Sequence, residues 1–378
     1  DPDEVFAGCT QFANIAVEEG HSLYSSYQGL LCSAPNATIG GTQYTQTTVL
    51  YCPIGRMGEV TIPSQVAAMG ANAFEGRSGL TGVVIHGYLT SVGDYAFAEC
   101  SRLGKVEFLT NAGVASDVTI GNYAFYNCTM LSDVSLSENI TKIGESAFAY
   151  CELVLSLTIP GSVETIGINA FQSCVRLEKV VFNGSEIEIS VGEGAFLDCT
   201  QLTSVELSAT VTSFDAVDVL AGCDLLESIT VDPANQVYED YNGILYTKGL
   251  TKILYYPKYG PEDVTFAAAM TTIGERVFAD NTTIKSVTIG TGVTMIEPHA
   301  FDRCILLETV EFLPGEGEAL TIGEAAFADC TLIETLVLPD RVSVIEANAF
   351  NHNASLGTVT FGTQEEQAGN CSLTSIGA

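Results

Sequence analysis

Residues 143–167 read IGESAFAYCELVLSLTIPGSVETIG, and this stretch decides the fold because its pattern returns along the whole chain. Phe148 lies 23 residues after Phe125 and 23 before Phe171, and the same Ala-Phe step recurs at Phe74, Phe97, Phe196, Phe301, Phe327 and Phe350. Degenerate copies stand at Phe6, Leu220 and Phe278. A fixed period of this size marks a solenoid, because a unit too small to bury its own apolar face acquires a core only by stacking on its neighbours.

Three pieces make up a unit. The segments Val134-Ser135-Leu136 and Leu157-Thr158-Ile159 alternate apolar, polar, apolar, which predicts a short strand with its outer residues pointing inward. A turn and a second extended piece, Val163-Glu164-Thr165-Ile166, follow. The run Gly-x-x-Ala-Phe-x-x-Cys then predicts a helical turn that buries the Phe. The expected fold class is an α/β repeat solenoid with a parallel sheet on one face, short helical turns on the other and two β-hairpin inserts.

Stacking sets the first strands side by side, about 4.8 Å apart, so thirteen of them span on the order of 60 Å. Their central residues face out: Thr61, Val84, Glu107, Ser135, Thr158, Val181, Glu206, Thr230, Thr265, Thr288, Glu311, Val337 and Thr360. Thr158, Glu206, Thr230, Thr265, Thr288 and Glu311 are candidate ligand contacts on that row. The bland alternative is that Thr and Val suit any solvated strand. Glu and Val interrupt the Thr row, which counts against ice binding.

The spacing stretches where 110–117, 183–188 and 314–319 are inserted after a first strand. Two longer departures, 15–74 and 229–278, align with each other: Gly29-Leu30-Leu31-Cys32 answers Gly243-Ile244-Leu245-Tyr246, and Val49-Leu50-Tyr51-Cys52-Pro53 answers Ile253-Leu254-Tyr255-Tyr256-Pro257. Each reads as a β-hairpin added to one unit, with a long link at 33–47 and a tight one at 247–251. These inserts hold ten of the fifteen tyrosines. Tyr24, Tyr27, Tyr44, Tyr238, Tyr241 and Tyr259 are candidates for ligand contact, since the ring is apolar and the hydroxyl tolerates water. The alternative is that most of these rings pin the hairpin to the solenoid.

Acidic residues number 46 against 14 basic ones, a formal charge of −32, which argues against nucleic acid and an anionic membrane surface as partners, since both demand cationic patches. Asp94, Glu145, Glu193, Glu275 and Glu324 each follow the unit's Gly, where a carboxylate meets backbone N–H groups. The rest of the acidity reads as a solvated face or as one suited to a cation-rich medium, with weak divalent-cation binding. No run of about 18 apolar residues is present, so this segment is not expected to insert in a membrane. Val5-Phe6-Ala7-Gly8-Cys9 matches part of a unit and Ser375-Ile376-Gly377 opens another, so the expectation is a single solenoid over 1–378, part of a longer chain.

The order Ile-Gly-x-x-Ala-Phe-x-x-Cys-x-x-Leu-x-x-Val-x-Ile-Pro resembles the BspA-like class of leucine-rich repeats. Ile120-Gly121, Ile143-Gly144, Ile166-Gly167 and Ile322-Gly323 precede Phe at the class offset, and Cys128, Cys151, Cys174, Cys199, Cys304 and Cys330 follow it by three. The resemblance implies a surface or secreted protein concerned with adhesion and protein binding, with no shared catalytic residues. Arg77, Asn281 and Asn353 replace the Cys, and Leu220 replaces the Phe.

Cys9, Cys100, Cys128, Cys151, Cys174, Cys199, Cys223, Cys304 and Cys330 share one position of the unit, which predicts a buried ladder of inert thiols. Cys32 and Cys52 lie on facing halves of the first hairpin and are a candidate disulfide in an oxidising compartment. Cys371 has no evident partner. Asn-x-Ser/Thr sequons occur at Asn36, Asn127, Asn139, Asn183, Asn281, Asn353 and Asn370. Asn36, Asn139 and Asn183 are the candidate glycosylation sites, while Asn281 and Asn353, on the Cys position, are expected to be buried. Asp240-Tyr241-Asn242-Gly243 is similar to the middle of a calcium loop but lacks its closing Glu, and Asn-Gly favours a hairpin turn. His21, His86, His299 and His352 are scattered, and no Cys-x-x-Cys pair, P-loop or nucleophile elbow appears.

No enzyme, metal or cofactor is therefore expected. The expected role is an extracellular or cell-surface recognition and adhesion module that binds a protein or glycan through the sheet face and the Tyr-rich hairpins. The alternative is a structural subunit or spacer of an extracellular filament, wall or larger assembly made of copies of itself.

Overall fold

In the computed structural model the chain divides into two compact units, residues 1–223 and 224–378, each described by itself. The described residues are 2–109, 117–315, 317–362 and 372–377. Most of the 110–117 insertion, with Asn370 and Cys371, lies outside them.

The longest sheet of the first unit has ten strands in chain order: Tyr24–Tyr27, Leu30–Ser33, Thr48–Tyr51, Ala68–Met69, Ser91–Val92, Val118–Ile120, Ile140–Ile143, Thr165–Ile166, Ile189–Val191 and Val211–Ser213. Its first two junctions are antiparallel and the rest parallel. The second unit repeats this plan with eight: Tyr238–Tyr241, Ile244–Thr247, Lys252–Tyr255, Thr272–Ile273, Met295–Ile296, Leu320–Ile322, Val342–Ile345 and Ser375–Ile376. Again two antiparallel junctions lead into a parallel ladder.

These long sheets are built from the second strand of each coil, a correction to the expected sheet of first strands. Gly144 shows the cause, since a Cβ there would lie 2.6 Å from the carbonyl carbon of Gly121 and 2.7 Å from the nitrogen of Asn122. The Ile-Gly step lets successive backbones close at this edge, and the insertions fall elsewhere, after the first strands. First strands pair in shorter runs. Gly58–Thr61, Leu80–Ile85, Lys105–Phe108 and Asp133–Ser135 form one, and Ser156–Ile159, Lys179–Phe182 and Ser204–Leu207 pair in a second. In the second unit Asp263–Thr265, Ser286–Ile289 and Thr309–Phe312 pair, as do Thr335–Leu338 and Thr358–Phe361. The break between these two runs coincides with the 314–319 insertion.

The expected helical turn is not a helix. Among the described residues only Pro2–Val5 and Ala216–Val219 are helical. In each Phe-bearing coil from Phe74 to Phe350 the residues two before and two after the Phe have positive φ, for example Tyr95 at 56° and Glu99 at 60°. Left-handed residues four apart cannot continue a right-handed helix. Their reward is a ladder to the next coil: the N–H groups of Tyr95, Phe97 and Glu99 donate to the carbonyls of Asn122, Ala124 and Tyr126 at 2.7–2.9 Å. Ala96, Ala98 and Cys100 bond within the turn. Where Leu220 replaces the Phe, a helical turn capped by Asp215 takes over and Leu220 is still buried.

A stack of phenylalanines fills the core. Centroids of Phe74, Phe97, Phe125, Phe148, Phe171 and Phe196 follow one another at 4.6–5.4 Å, and those of Phe278, Phe301, Phe327 and Phe350 at 4.7–5.5 Å, with ring planes within 18° of parallel. The cysteines beside them are buried and free, as expected of the ladder, and each is a donor. Cys100, Cys128, Cys151, Cys174, Cys199 and Cys223 give their thiol hydrogen to the Phe carbonyl of the preceding coil at 3.0–3.4 Å, as do Cys304 and Cys330 at 3.0 and 3.1 Å. The replacements keep that function. Asn353 donates to Phe327 O at 3.0 Å, Asn281 to Lys258 O at 3.2 Å and Arg77 to Cys52 O at 2.5 Å.

Two cysteine expectations are corrected. Cys9 is exposed rather than laddered, with Phe6 packed on Phe12 at 4.3 Å. Cys32 and Cys52 are both buried but do not face each other: the strand register sets Cys32 opposite Val49, and the register shift beside it carries Cys52 away.

Candidate functional site

The hairpin that opens the second unit is held by its turn. Asn242 and Gly243 both have positive φ, 54° and 79°, the geometry a two-residue hairpin link demands, and Tyr241 pairs with Ile244. Asp240, which sequence placed in a calcium-like loop, accepts the Val231 N–H at 2.7 Å. No group of three or more metal-ligating side chains occurs among the described residues.

A cleft of about 500 Å³ lies between this hairpin and the strand Asp263–Thr265. Tyr241, Asn242, Ile244, Tyr246, Tyr256, Asp263, Thr265 and Phe266 contribute to its wall. Tyr256 is fixed: its hydroxyl donates to Pro261 O at 2.8 Å, its ring rests 4.8 Å from Phe278, and a side chain at Gly260 would collide with it. Burial pushes its phenol up, and it pushes the Tyr246 phenol up to about 12. Both hydroxyls therefore stay protonated across physiological pH and act as neutral hydrogen-bonding groups. Asp263 accepts from Ser286 Oγ at 2.5 Å. The wall thus combines four aromatic rings with amide, hydroxyl and carboxylate groups, a composition typical of small-ligand pockets.

Of the sequence candidates, Tyr241 and Thr265 meet in this cleft. Thr265 stands in register with Thr288, and Thr288 with Glu311, so the outward row exists locally as drawn. Thr158 and Glu206 flank Val181 in the first unit, with Glu206 paired to Lys179 at 2.6 Å. Thr230 is exposed on Ser228–Val231. Tyr238 is corrected: at 7% exposure it packs inside the hairpin and offers a ligand little surface. Tyr259 is exposed but does not line the cleft. Tyr24, Tyr27 and Tyr44 are half-buried, the first two on the edge strand of the ten-stranded sheet and the third on a small hairpin, Ala37–Ile39 with Thr42–Tyr44.

Asn36 is exposed, with φ at 61°, whereas Asn139 and Asn183 are half-buried, and Asn139 Nδ2 donates to Gly87 O at 3.5 Å. Sequence reading missed Asn242, Tyr246, Tyr256 and Phe266 as cleft residues, because only the folded hairpin brings them to one wall. It also passed over Tyr95, Tyr123, Tyr126 and Tyr150, whose signal was present: they stand one or two residues from successive phenylalanines.

The stacked parallel ladders and the Phe-Cys coil define the class, a leucine-rich-repeat solenoid. The profile of the BspA type leucine rich repeat region matches residues 2–104, 51–119, 118–242 and 252–376, and the chain belongs to this family. Among solved structures, a leucine rich cell surface protein from Faecalibacterium prausnitzii is 21% identical with a TM-score of 0.62, covering 95% of this chain and 100% of its own. A leucine-rich repeat protein from Bacteroides ovatus is 23% identical with a TM-score of 0.62, covering 96% and 90%. The pneumococcal vaccine antigen PcpA is 19% identical with a TM-score of 0.58, covering 94% and 87%. Likeness at this identity shows the shared fold. No curated protein matches the sequence.

Proposed function

We propose that this chain is a cell-surface recognition module that binds a glycan or a protein segment in the hairpin cleft of its second unit, with the Thr265, Thr288 and Glu311 row extending the contact. The observation that carries this reading is the cleft, where two independently chosen candidates, Tyr241 and Thr265, join Tyr246 and Tyr256 around about 500 Å³. The surface location is supported by the family and by a structural neighbour described as a cell surface protein. No helix among the described residues is long and apolar enough to cross a membrane.

The test is a glycan and peptide array probed with the native chain and with Tyr241→Ala and Thr265→Ala. Binding that falls at least several-fold in both variants supports the cleft, and binding that neither variant changes removes it. Sedimentation velocity with calcium and then with chelator separates this role from self-assembly. Discrete monomers in both leave recognition standing, whereas polymers lost on chelation make assembly the primary role.

A further inference from the structure

The first unit carries a second aromatic surface, on the turns that cover the Phe stack. Tyr95 and Tyr123 lie face to face at 4.8 Å and 3° between planes. Tyr126 meets Tyr123 at 5.6 Å and 65°, and Tyr150 meets Tyr126 at 5.5 Å and 75°. Tyr95 and Tyr150 are exposed. Four of the five tyrosines outside the hairpin inserts thus form one contiguous cluster.

Two carboxylates are built into it. Glu145 accepts from the Tyr123 hydroxyl at 2.9 Å, and Glu99 is held by the Asn127 amide at 2.8 Å. The hydrogen bond to Glu145 is the main cause that raises the Tyr123 phenol. For Tyr126 partial burial comes first, then the nearby Tyr150 and Glu99.

Tyr95, Tyr123 and Tyr150 have φ of 56°, 55° and 62°, a conformation that disfavours bulky side chains. The same φ recurs at the equivalent positions of the other coils, where Asn72, Ser146, Ser173, Arg276 and Ala325 adopt it, so the coil-to-coil ladder sets it and the rings stand at positions the fold leaves free.

We propose that this face docks an arginine-bearing segment of a partner protein. Ring faces attract cations, carboxylates pair with them, and the guanidinium stacks on an aromatic plane while bonding a carboxylate edge-on. The chain's charge of −32 adds long-range steering toward a cationic partner.

The experiment is fluorescence anisotropy of labelled octa-arginine, octa-lysine and octa-citrulline peptides at about 150 mM salt, where exposed charges are screened beyond about 8 Å. The expected result is binding in the order arginine, lysine, citrulline. Tyr126→Leu and Tyr150→Ser each lower octa-arginine affinity roughly tenfold, Glu99→Gln lowers it several-fold, and Tyr126→Phe keeps it because the ring remains. Glu262→Gln, a carboxylate of the other unit, leaves it unchanged. Equal binding of arginine and lysine peptides by native chain and ring variants alike would reduce the effect to bulk charge and overturn the proposal. Tyr-dependent binding of an oligosaccharide panel without octa-arginine binding would overturn it as well, making the cluster a sugar platform. If Tyr126→Leu does not fold, Tyr150→Ser at its exposed position and the Phe variant still decide.

Discussion

The two units share one plan and decorate it differently. Each begins with two antiparallel junctions and continues as a parallel ladder of second strands, each stacks its phenylalanines about 5 Å apart, and each keeps a donor beside the Phe. The first unit fills that donor position with six consecutive cysteines between Cys100 and Cys223 and carries the tyrosine cluster on its turns. The second has only Cys304 and Cys330 between Asn281 and Asn353, and it carries the cleft. The coil therefore requires a hydrogen-bond donor of suitable reach, not a thiol as such. Recognition chemistry sits on positions the coil leaves free.

The sharpest way to break this comparison is alkaline pH. Burial holds the Cys32, Cys100 and Cys174 thiols up to about 12 and those of Cys128 and Cys151 well above their ordinary value, while Cys199 is raised first by its neighbour Cys223 and then by burial. In the second unit Cys304 is raised in the same way by Cys330, and Tyr246 and Tyr256 are raised by burial. A folded-state pKa above the unfolded one contributes stability that is complete below about pH 9 and is lost as pH climbs toward 12, because only the unfolded thiols ionise. Each such thiol contributes a slope of about 1.4 kcal/mol per pH unit in that window. Circular-dichroism melts from pH 8 to pH 10.5, with exposed thiols trapped by iodoacetamide and mapped by mass spectrometry, should show the first unit opening before the second. Simultaneous opening would mean that the thiol ladder does not distinguish them. At pH 8 the same reagent should label Cys9 and spare the ladder.

Next in size is the stack itself. Phe148 lies between Phe125 at 4.9 Å and Phe171 at 5.2 Å, and Phe301 between Phe278 and Phe327 at 4.7 and 4.8 Å, all fully buried. Phe148→Ala and Phe301→Ala should each cost about 3–5 kcal/mol, read by denaturant unfolding, with hydrogen exchange showing the loss concentrated in the mutated unit. Equal loss of protection in both units would show that they unfold as one.

How far the sequence foretold this follows from what a period can encode. Phe125, Phe148 and Phe171 were legible because burial repeats with the coil, and Gly144 because close backbone approach demands a residue without a Cβ. The turn was misread because Phe148 and Cys151, three apart, mimic one turn of helix, while the left-handed φ of Ser146 and Tyr150 is imposed by bonding to the next coil and leaves no mark on residue type. Cys32 and Cys52 looked paired because sequence fixes the halves of a hairpin but not a register shift within it. The cleft was half legible. Tyr241 and Thr265 could be singled out alone, but Tyr246 and Tyr256 join them only when the hairpin folds over the strand.

The donor position supplies the finest comparison and the smallest effects. Asn281 is buried and makes four hydrogen bonds: its amide gives to Lys258 O at 3.2 Å, and its oxygen takes from Thr283 N, Thr283 Oγ1 and Ile284 N at 2.9–3.0 Å. Asn281→Ala strands several of these groups and should cost about 2–3 kcal/mol. Cys151→Ala removes a weak S–H donor from Phe125 O, but that carbonyl still receives the Cys128 N–H at 3.3 Å, so the loss should stay near 1 kcal/mol. Cys151→Ser restores a donor of similar size and should fall between Cys151→Ala and the native chain in urea midpoint. If serine is instead worse than alanine, the thiol is held there for its apolar bulk, and Asn353 and Arg77 occupy the position for reasons of their own rather than as substitutes for a shared donor.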